Sequence, residues 1–287
     1  MKFQRLKQVP ALIAAGVLAL ACLARVWQLD FVERLERITY DMRVRMAMRF
    51  PSTVATNLGF VFMNEESIAA VKSGGLGYHF GLYWPRQVYG RLVQELAAQG
   101  AETVAFDVIF GELRGDLNAP VHMANGDFVE SDEFFAQTMR HASNVLIAVT
   151  MDLPPPDLFV TNALAVGDIS TDKDPDGILR RAKLFRTYRR WHPVFKQIEA
   201  DPGYGIDLRR ARCAPGQIVL PRSNGEEIKI PVDAENNFDL ADFVGDKLPP
   251  GMAPKAKAFT NERVWHMGVV LAAQELKLDL ANAAVDL

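Results

Sequence analysis

The chain has 287 residues, a net charge of −3 and an ordinary balance of 49% hydrophobic and 23% charged residues, enough for one large or two small domains. Setting aside Lys2, Arg5 and Lys7 at the N-terminus takes the remainder to −6, which excludes the basic footprint of a nucleic-acid-binding protein. Two cysteines, Cys22 and Cys213, supply no disulfide framework.

The first segment is the most informative. A basic leader of residues 1–8 precedes an uncharged run from Val9 to Ala24, closed by Arg25, Trp27 and Asp30. The run is near the lower limit, roughly 18 residues, for a helix crossing a bilayer. Three readings compete: an uncleaved anchor over residues 9–28 with Trp27 at the interface, a signal peptide cut after the Ala19-Leu20-Ala21 triplet, and a lipoprotein signal at Cys22. The anchor is favoured. Lys2, Arg5 and Lys7 on one side face Arg34, Arg37, Arg43 and Arg45 on the other, so the positive-inside count does not decide orientation. The short leader favours a cytoplasmic tail and a body across the membrane.

Residues 29–50 follow as a juxtamembrane helix, with Leu29, Val32, Leu35, Ile38 and Met42 at helical spacing and Pro51 ending it. The apolar run Leu58–Met63 has the form of a buried strand. Asn64-Glu65-Glu66-Ser67 starts a short helix, and residues 73–81 are a glycine-rich loop. Trp84-Pro85-Arg86 opens a helix with Pro85 in its first turn, running to about Gly100. Thr103–Phe110 predicts a second strand, Ser131 caps a helix running to about His141, and Asn144–Val149 predicts a third strand. This alternation predicts an α/β fold, a mixed and mostly parallel sheet with flanking helices, preceded by the one N-terminal transmembrane helix.

Beyond the three prolines at 154–156 the pattern changes. Asp172–Gly177 is a turn cluster. Gln217–Leu220 and Ile228–Val232 flank Asn224-Gly225, a β-hairpin addition to the fold. Thr260 is expected to cap a last helix over Asn261–Lys277. A faint echo of Ile206-Asp207-Leu208 at Leu278-Asp279-Leu280 calls for a further strand pair after Leu287, so the chain reads as a fragment of a longer protein.

With these residues laid out, the chain resembles the CHASE type 2 sensor domain (cyclase- and histidine-kinase-associated, sensory, extracellular). The resemblance rests on the anchor, Leu35-Glu36 with Thr39-Tyr40-Asp41-Met42-Arg43, the apolar strand ending in Asn64-Glu65-Glu66-Ser67, Gly81 with Trp84-Pro85-Arg86, Val104–Phe110, and Asp176-Gly177-Ile178-Leu179-Arg180-Arg181. It spans roughly residues 30–277. Asn64 stands where the family usually has aspartate. The resemblance implies a signal-input module in residues 51–287, periplasmic and held at the inner membrane. It also implies that an output cyclase or kinase lies outside this chain.

Four residues are candidates for ligand contact: Trp84 as an aromatic wall, Arg86 as a cation for carboxylate or phosphate, Asp107 near the end of a central strand, and Arg180. The structural alternative packs Trp84 in the core and pairs Arg86 with an acid such as Asp107. Asp172, Asp174 and Asp176 resemble the start of a calcium loop, but its twelfth position falls on Lys183, where an acid is required; a surface turn is expected. The five histidines show no zinc spacing, and no cofactor or metal is expected. The basic run Arg180–Arg190 is a solvated face or a contact for anionic headgroups or an anionic ligand. The expected partners are the bilayer, an unidentified small-molecule or ionic signal, and a second copy in a homodimer. The alternative function is a secreted or tethered hydrolase using Asp107 and Glu112.

Overall fold

A computed structural model describes residues 2–27, 30–50, 57–74, 80, 83–115, 119–244 and 253–285. The chain divides into two compact units, residues 1–67 and 68–287.

The first unit holds α1 (Lys2–Val26) and α2 (Asp30–Ala47). Among the described residues no helix is long and apolar enough to cross a membrane. The side chains of Leu12 and Leu20 on α1 are 69% and 70% exposed, and Ile13, Val17 and Leu18 are similarly bare. No residue of α2 is buried, and Arg37 pairs with Glu33 along it at 2.8 Å. Pro51, expected to end this helix, lies outside the described residues. The run Leu58–Met63 is not the buried strand that its composition predicts. It pairs with no strand among the described residues, and Phe60 and Phe62 are 71% and 77% exposed, stacked on each other at 5.7 Å. Apolar composition reports a need for cover; it does not by itself supply a pairing partner.

The short helix α3 (Glu65–Lys72) follows. Asn64 caps it, its Oδ1 accepting from the Ser67 amide at 2.9 Å and the Ser67 hydroxyl at 2.7 Å. Asparagine caps a helix N-terminus well and does so here without adding charge.

The second unit is built around β1 (Val104–Phe106). Before it runs α4 (Arg86–Ala98), with Pro85 at the N-cap and Gly100 leaving it at φ +84°. The predicted strand to Phe110 stops early: residues 107–110 leave the sheet, and Phe110 turns into the core. A small hairpin, β2 (Val121–His122) and β3 (Phe128–Val129), leads to α5 (Ser131–Ala142). Ser131 does not cap its own helix. Its hydroxyl accepts from the Gln87 amide at 2.9 Å and so serves the first turn of α4. Next come β4 (Val145–Val149), buried throughout, α6 (Asp157–Asn162) and β5 (Ala165–Asp168).

β1, β4 and β5 form the parallel sheet in that order. Tyr89 and Val93 of α4, Phe135 and Met139 of α5 and Phe159 of α6 share a core with Val104, Phe106, Val145 and Ile147, so the helix that enters β1 and the helices of both crossovers cover one face of the sheet. The sequence pattern predicts a mostly parallel sheet with strands at Leu58–Met63, Thr103–Phe110 and Asn144–Val149; the observed sheet has the second and third of these, and its remaining strand is β5.

The remainder is antiparallel. β6 (Phe185–Trp191) precedes α7 (Pro193–Ala200) and the strands β7 (Arg212–Ala214), β8 (Gln217–Pro221) and β9 (Glu227–Pro231). The predicted hairpin joins β8 to β9, with Gly225 at φ +89° as an Asn-Gly turn requires. Then come β10 (Asn237–Asp239), α8 (Ala241–Val244), β11 (Lys255–Lys257), β12 (Phe259–Trp265) and α9 (Met267–Leu276). Phe195, Ile218, Leu220 and Phe238 centre a second core here. The helix expected from Asn261 starts later: Phe259–Trp265 is a strand paired along its whole length with β6, and His266 Nδ1, not Thr260, caps α9 from 3.2 Å.

β5 and α9 meet with no room to spare. A Cβ on Gly167 would lie 2.6 Å from the Met267 Cα, a backbone contact that no rotamer relieves. Gly167→Ala is expected to push α9 off the sheet and cost about 1–3 kcal/mol, read as a lower unfolding midpoint in urea.

Candidate functional site

In a parallel sheet the helices run antiparallel to the strands, so the N-termini of α4 and α5 lie at the carboxyl edge of β1 and β4, where ligands of open α/β sheets bind. Arg86 opens α4 there and is 3% exposed. A cation at a helix N-terminus opposes the helix dipole, and a buried one must also recover its lost hydration. Three kinds of contact answer these costs. Asp132, in the first turn of α5, places Oδ1 3.7 Å from Arg86 Nε. Arg86 Nη2 donates to the Glu112 carbonyl at 3.3 Å. The guanidinium carbon lies 4.7 Å from the Phe110 ring and 5.9 Å from that of Phe159, a cation–π arrangement worth most when dry. Burial, then the charge of Arg114, pull the Arg86 pKa below its usual value, while Asp132 acts the other way. Burial likewise raises the pKa of Tyr89 in the adjacent core.

Arg114 completes the cluster. Its amide donates a short hydrogen bond to Asp132 Oδ2. Its guanidinium grips the Glu112 carboxylate at 3.0 and 3.2 Å and lies 4.5 Å over the Tyr83 ring. In this cluster Trp84 Nε1, Arg86 Nε and Asp132 Oδ1 are fully buried with no hydrogen bond among the described residues.

The acid that pairs with Arg86 is therefore Asp132, not Asp107. Asp107 follows β1 at the carboxyl edge, exposed and without a polar partner among the described residues. Arg180 has partners of its own in the β5–β6 connection. It is held by Asp174 at 2.9 Å and Asp176 at 2.8 Å. The sequence thus placed Trp84 and Arg86 at one centre, while Asp107 and Arg180 each stand in different surroundings. It missed Asp132 and Arg114; the one signal for Asp132 was its place in the acidic first turn of a helix.

The aspartate-rich turn confirms the surface-turn expectation. Lys183 lies 3.2 Å and Arg186 2.8 Å from Asp172, so arginine and lysine occupy the carboxylates a calcium ion would need. Arg186 also reaches Asp168, the buried last residue of β5, at 2.9 Å, and Asp168 Oδ1 accepts from the Ser170 amide at 2.7 Å. The buried Tyr188 hydroxyl beside them has its pKa raised, chiefly by burial and further by Asp168. Among the described residues no group of His, Cys, Asp and Glu has the form of a metal site. A groove of about 440 Å³ between α4 and α5, walled by Gln94, Ala97, Phe134 and His141, lies apart from this edge. Its α5 side chains are already bonded along the helix: Gln137 to Glu133, Thr138 to the Phe134 carbonyl and His141 to the Gln137 carbonyl.

Asp132→Ala leaves Arg86 buried and unpaired and is expected to cost about 3–5 kcal/mol, whereas a paired Arg86→Met, Asp132→Leu replacement should cost far less; urea unfolding of the three chains measures both. The hydrogen bonds from Arg186 and Lys183 hold Asp172 below its usual 3.8. A depressed folded-state pKa stabilises above the unfolded value and is lost as pH falls through the folded one. Stability should therefore drop below about pH 4, and Asp172→Asn should flatten part of that drop in midpoints measured from pH 3 to 6.

No curated protein and no solved structure matches this chain. The family model of the CHASE2 domain matches residues 14–260, which takes in α2, the Arg86 centre, the parallel sheet and the β6–β9 region. The chain belongs to the CHASE2 domain family, whose members are extracytoplasmic sensory, non-catalytic domains of signalling proteins.

Proposed function

We propose that this chain is the signal-input part of a bacterial signal-transduction protein, such as a nucleotide cyclase or histidine kinase, held at the inner membrane by residues 9–28 with residues 51–287 on the periplasmic side. One observation carries the anchor: Val9–Ala24 is uncharged, and its leucines and valines on α1 stand bare to solvent. A water-soluble helix with no apolar partner would not keep such a surface. At ~1.5 Å per residue the run reaches about 24 Å, less than a hydrocarbon core of ~30 Å. Local thinning of the bilayer, with Trp27 at the headgroups, closes a gap of that size.

The signal enters at the carboxyl edge of the parallel sheet. Trp84 and Arg86, whose buried Nε1 and Nε carry no hydrogen bond among the described residues, and the exposed Asp107 offer contacts to a small polar or ionic ligand; Arg180 takes part through its own clasp. A second copy is the expected partner of α2. Phe31, Leu35, Ile38 and Met42 recur at the four-three spacing of a coiled-coil seam, and all are exposed.

Fractionation of cells expressing the chain tests the anchor. The intact polypeptide is expected in the membrane pellet, released by detergent but not by high salt or alkaline carbonate, with its body open to protease added outside the inner membrane. Recovery of the uncleaved chain in the soluble fraction would overturn this reading.

A further inference from the structure

The echo of Ile206-Asp207-Leu208 at Leu278-Asp279-Leu280 is the tail of a longer repeat. The pattern Ala-Lys-x-Phe-x-x-x-Arg-x-Trp-His begins at Ala182 and again, 74 residues on, at Ala256. Both copies build the same structure. Their strands are β6 and β12, paired antiparallel with Tyr188 opposite Glu262 at the centre, so a local twofold axis relates one copy to the other. Successive side chains of a strand point to opposite faces, which puts both motif arginines on the face away from Arg186 and its clamp on Asp168. There Arg189 lies 4.5 Å over Phe259 and 5.5 Å over Trp191, and Arg263 lies 4.7 Å over Phe185 and 5.4 Å over Trp265. His192 and His266 then cap α7 and α9, each accepting from the amide two residues on, at 3.3 and 3.2 Å. After each helix an aspartate closes the same turn. Asp207 Oδ1 accepts from the Arg209 amide at 3.0 Å, and Asp279 Oδ1 from the Ala281 amide at 2.9 Å.

The copies differ in what covers them. In the first, Ile206 and Leu208 are 7% and 5% exposed. The chain there continues into β7 and the β8–β9 hairpin, and Ile218, Leu220 and Ile230 of the hairpin share a core with them and with Phe195 of α7. In the second, Leu278 stands where Ile206 does and is 57% exposed, and Leu276 beside it is 65% exposed. Val269 and Leu280, in the places of Phe195 and Leu208, are only half-buried. Trp265 Nε1 donates to the Leu280 carbonyl at 3.2 Å and Arg263 to the Ala283 carbonyl at 3.0 Å, so the segment is already laid along the ribbon. The second copy thus keeps the apolar side chains of a core but, among the described residues, has no hairpin over them.

We propose that α9 and residues 276–283 form a docking surface for an amphipathic antiparallel β-hairpin of the β8–β9 kind, carried on the same polypeptide and joined through residues 284–287. The first copy argues for this occupant. The same strand, cap, helix and turn end there beneath such a hairpin, and β7, the stretch aligned with residues 284–287, pairs with its first strand. A hairpin alternates its faces, so it sets isoleucine and leucine on Leu276 and Leu278 and leaves a polar side to water. The proposal does not rest on the anchor or on the Arg86 centre.

The test uses the full chain in a neutral detergent, extended after Leu287 by a second copy of its own residues 216–232. Amide hydrogen exchange is the readout. Docking is expected to slow exchange over residues 276–283 by about tenfold or more relative to the unextended chain. Exchange at Ile206 and Leu208 should stay as it was. Ile218→Ser, Leu220→Ser and Ile230→Ser, made together in the added copy alone, should abolish the slowing, and so should Leu278→Asp in the extended chain. Leu278 is exposed, so that variant should keep the parent's unfolding midpoint. No slowing, or slowing that survives the serine or aspartate changes, overturns the proposal. Slow exchange at residues 276–283 in the unextended chain that is lost on dilution and in Leu278→Asp overturns it in favour of a second copy as the occupant.

Discussion

The parallel half of the body depends on one buried cation. Arg86 touches the start of α4, the first turn of α5 through Asp132, the segment leaving β1 through Phe110 and Glu112, and α6 through Phe159. Four pieces of chain far apart in sequence meet at a single guanidinium. The alternative, four apolar side chains of matched shape, would hold the same elements at less electrostatic cost. What the arginine adds is direction: planar faces for two rings and edge donors for a carbonyl and a carboxylate define how the helices enter. The aromatic cluster of Tyr89, Phe106, Phe110, Phe135 and Phe159 packs edge to face directly behind it, so the polar clasp and the apolar core share the Phe110 ring. The Ser131 hydroxyl, caught by the Gln87 amide, adds a second tie between the same two helix starts.

Local signals in the sequence were reliable where the physics was local. The Asn224-Gly225 turn, the helix opened by Pro85 and the wholly apolar β4 each follow from residues within a few positions. Residues 259–265 show the limit. Thr260 with Val264, Trp265 and Gly268 fits a capped helix as well as it fits a strand. Seven consecutive pairings with β6 decide the matter, and those lie about seventy residues away along the chain. Phe259 and Trp265 then pack against Trp191 and Phe185, burial that a helix starting at Asn261 would forgo.

The same distinction governs the site. Arg86 was legible because a cation beside a tryptophan and a proline at a helix start is unusual, and its need for an acid followed from burial alone. Which acid was not legible. Asp107, inside an apolar run, carried the stronger local signal. Asp132 looked like an ordinary first-turn carboxylate serving the helix dipole, and only the packing of α4 on α5 turns it toward Arg86. The turn from Asp172 to Gly177 went the other way: Lys183 at the twelfth position already told against calcium, and the arginines that take the acids lie within the same basic run.

Among the described residues the ribbon of β6 and β12 is fastened to the parallel sheet at Asp168. Arg186 clamps the last residue of β5, and His266 at the end of β12 bridges to that same Asp168 backbone. The ribbon's outward face, with Arg189 and Arg263, is the reverse of the surface that carries this clamp. Any rocking of the ribbon must therefore either drag the tip of β5 with it or tear an ion pair out of a dry pocket. The antiparallel half of the molecule cannot be displaced silently: a push on its arginines arrives at the central sheet as strain at Asp168.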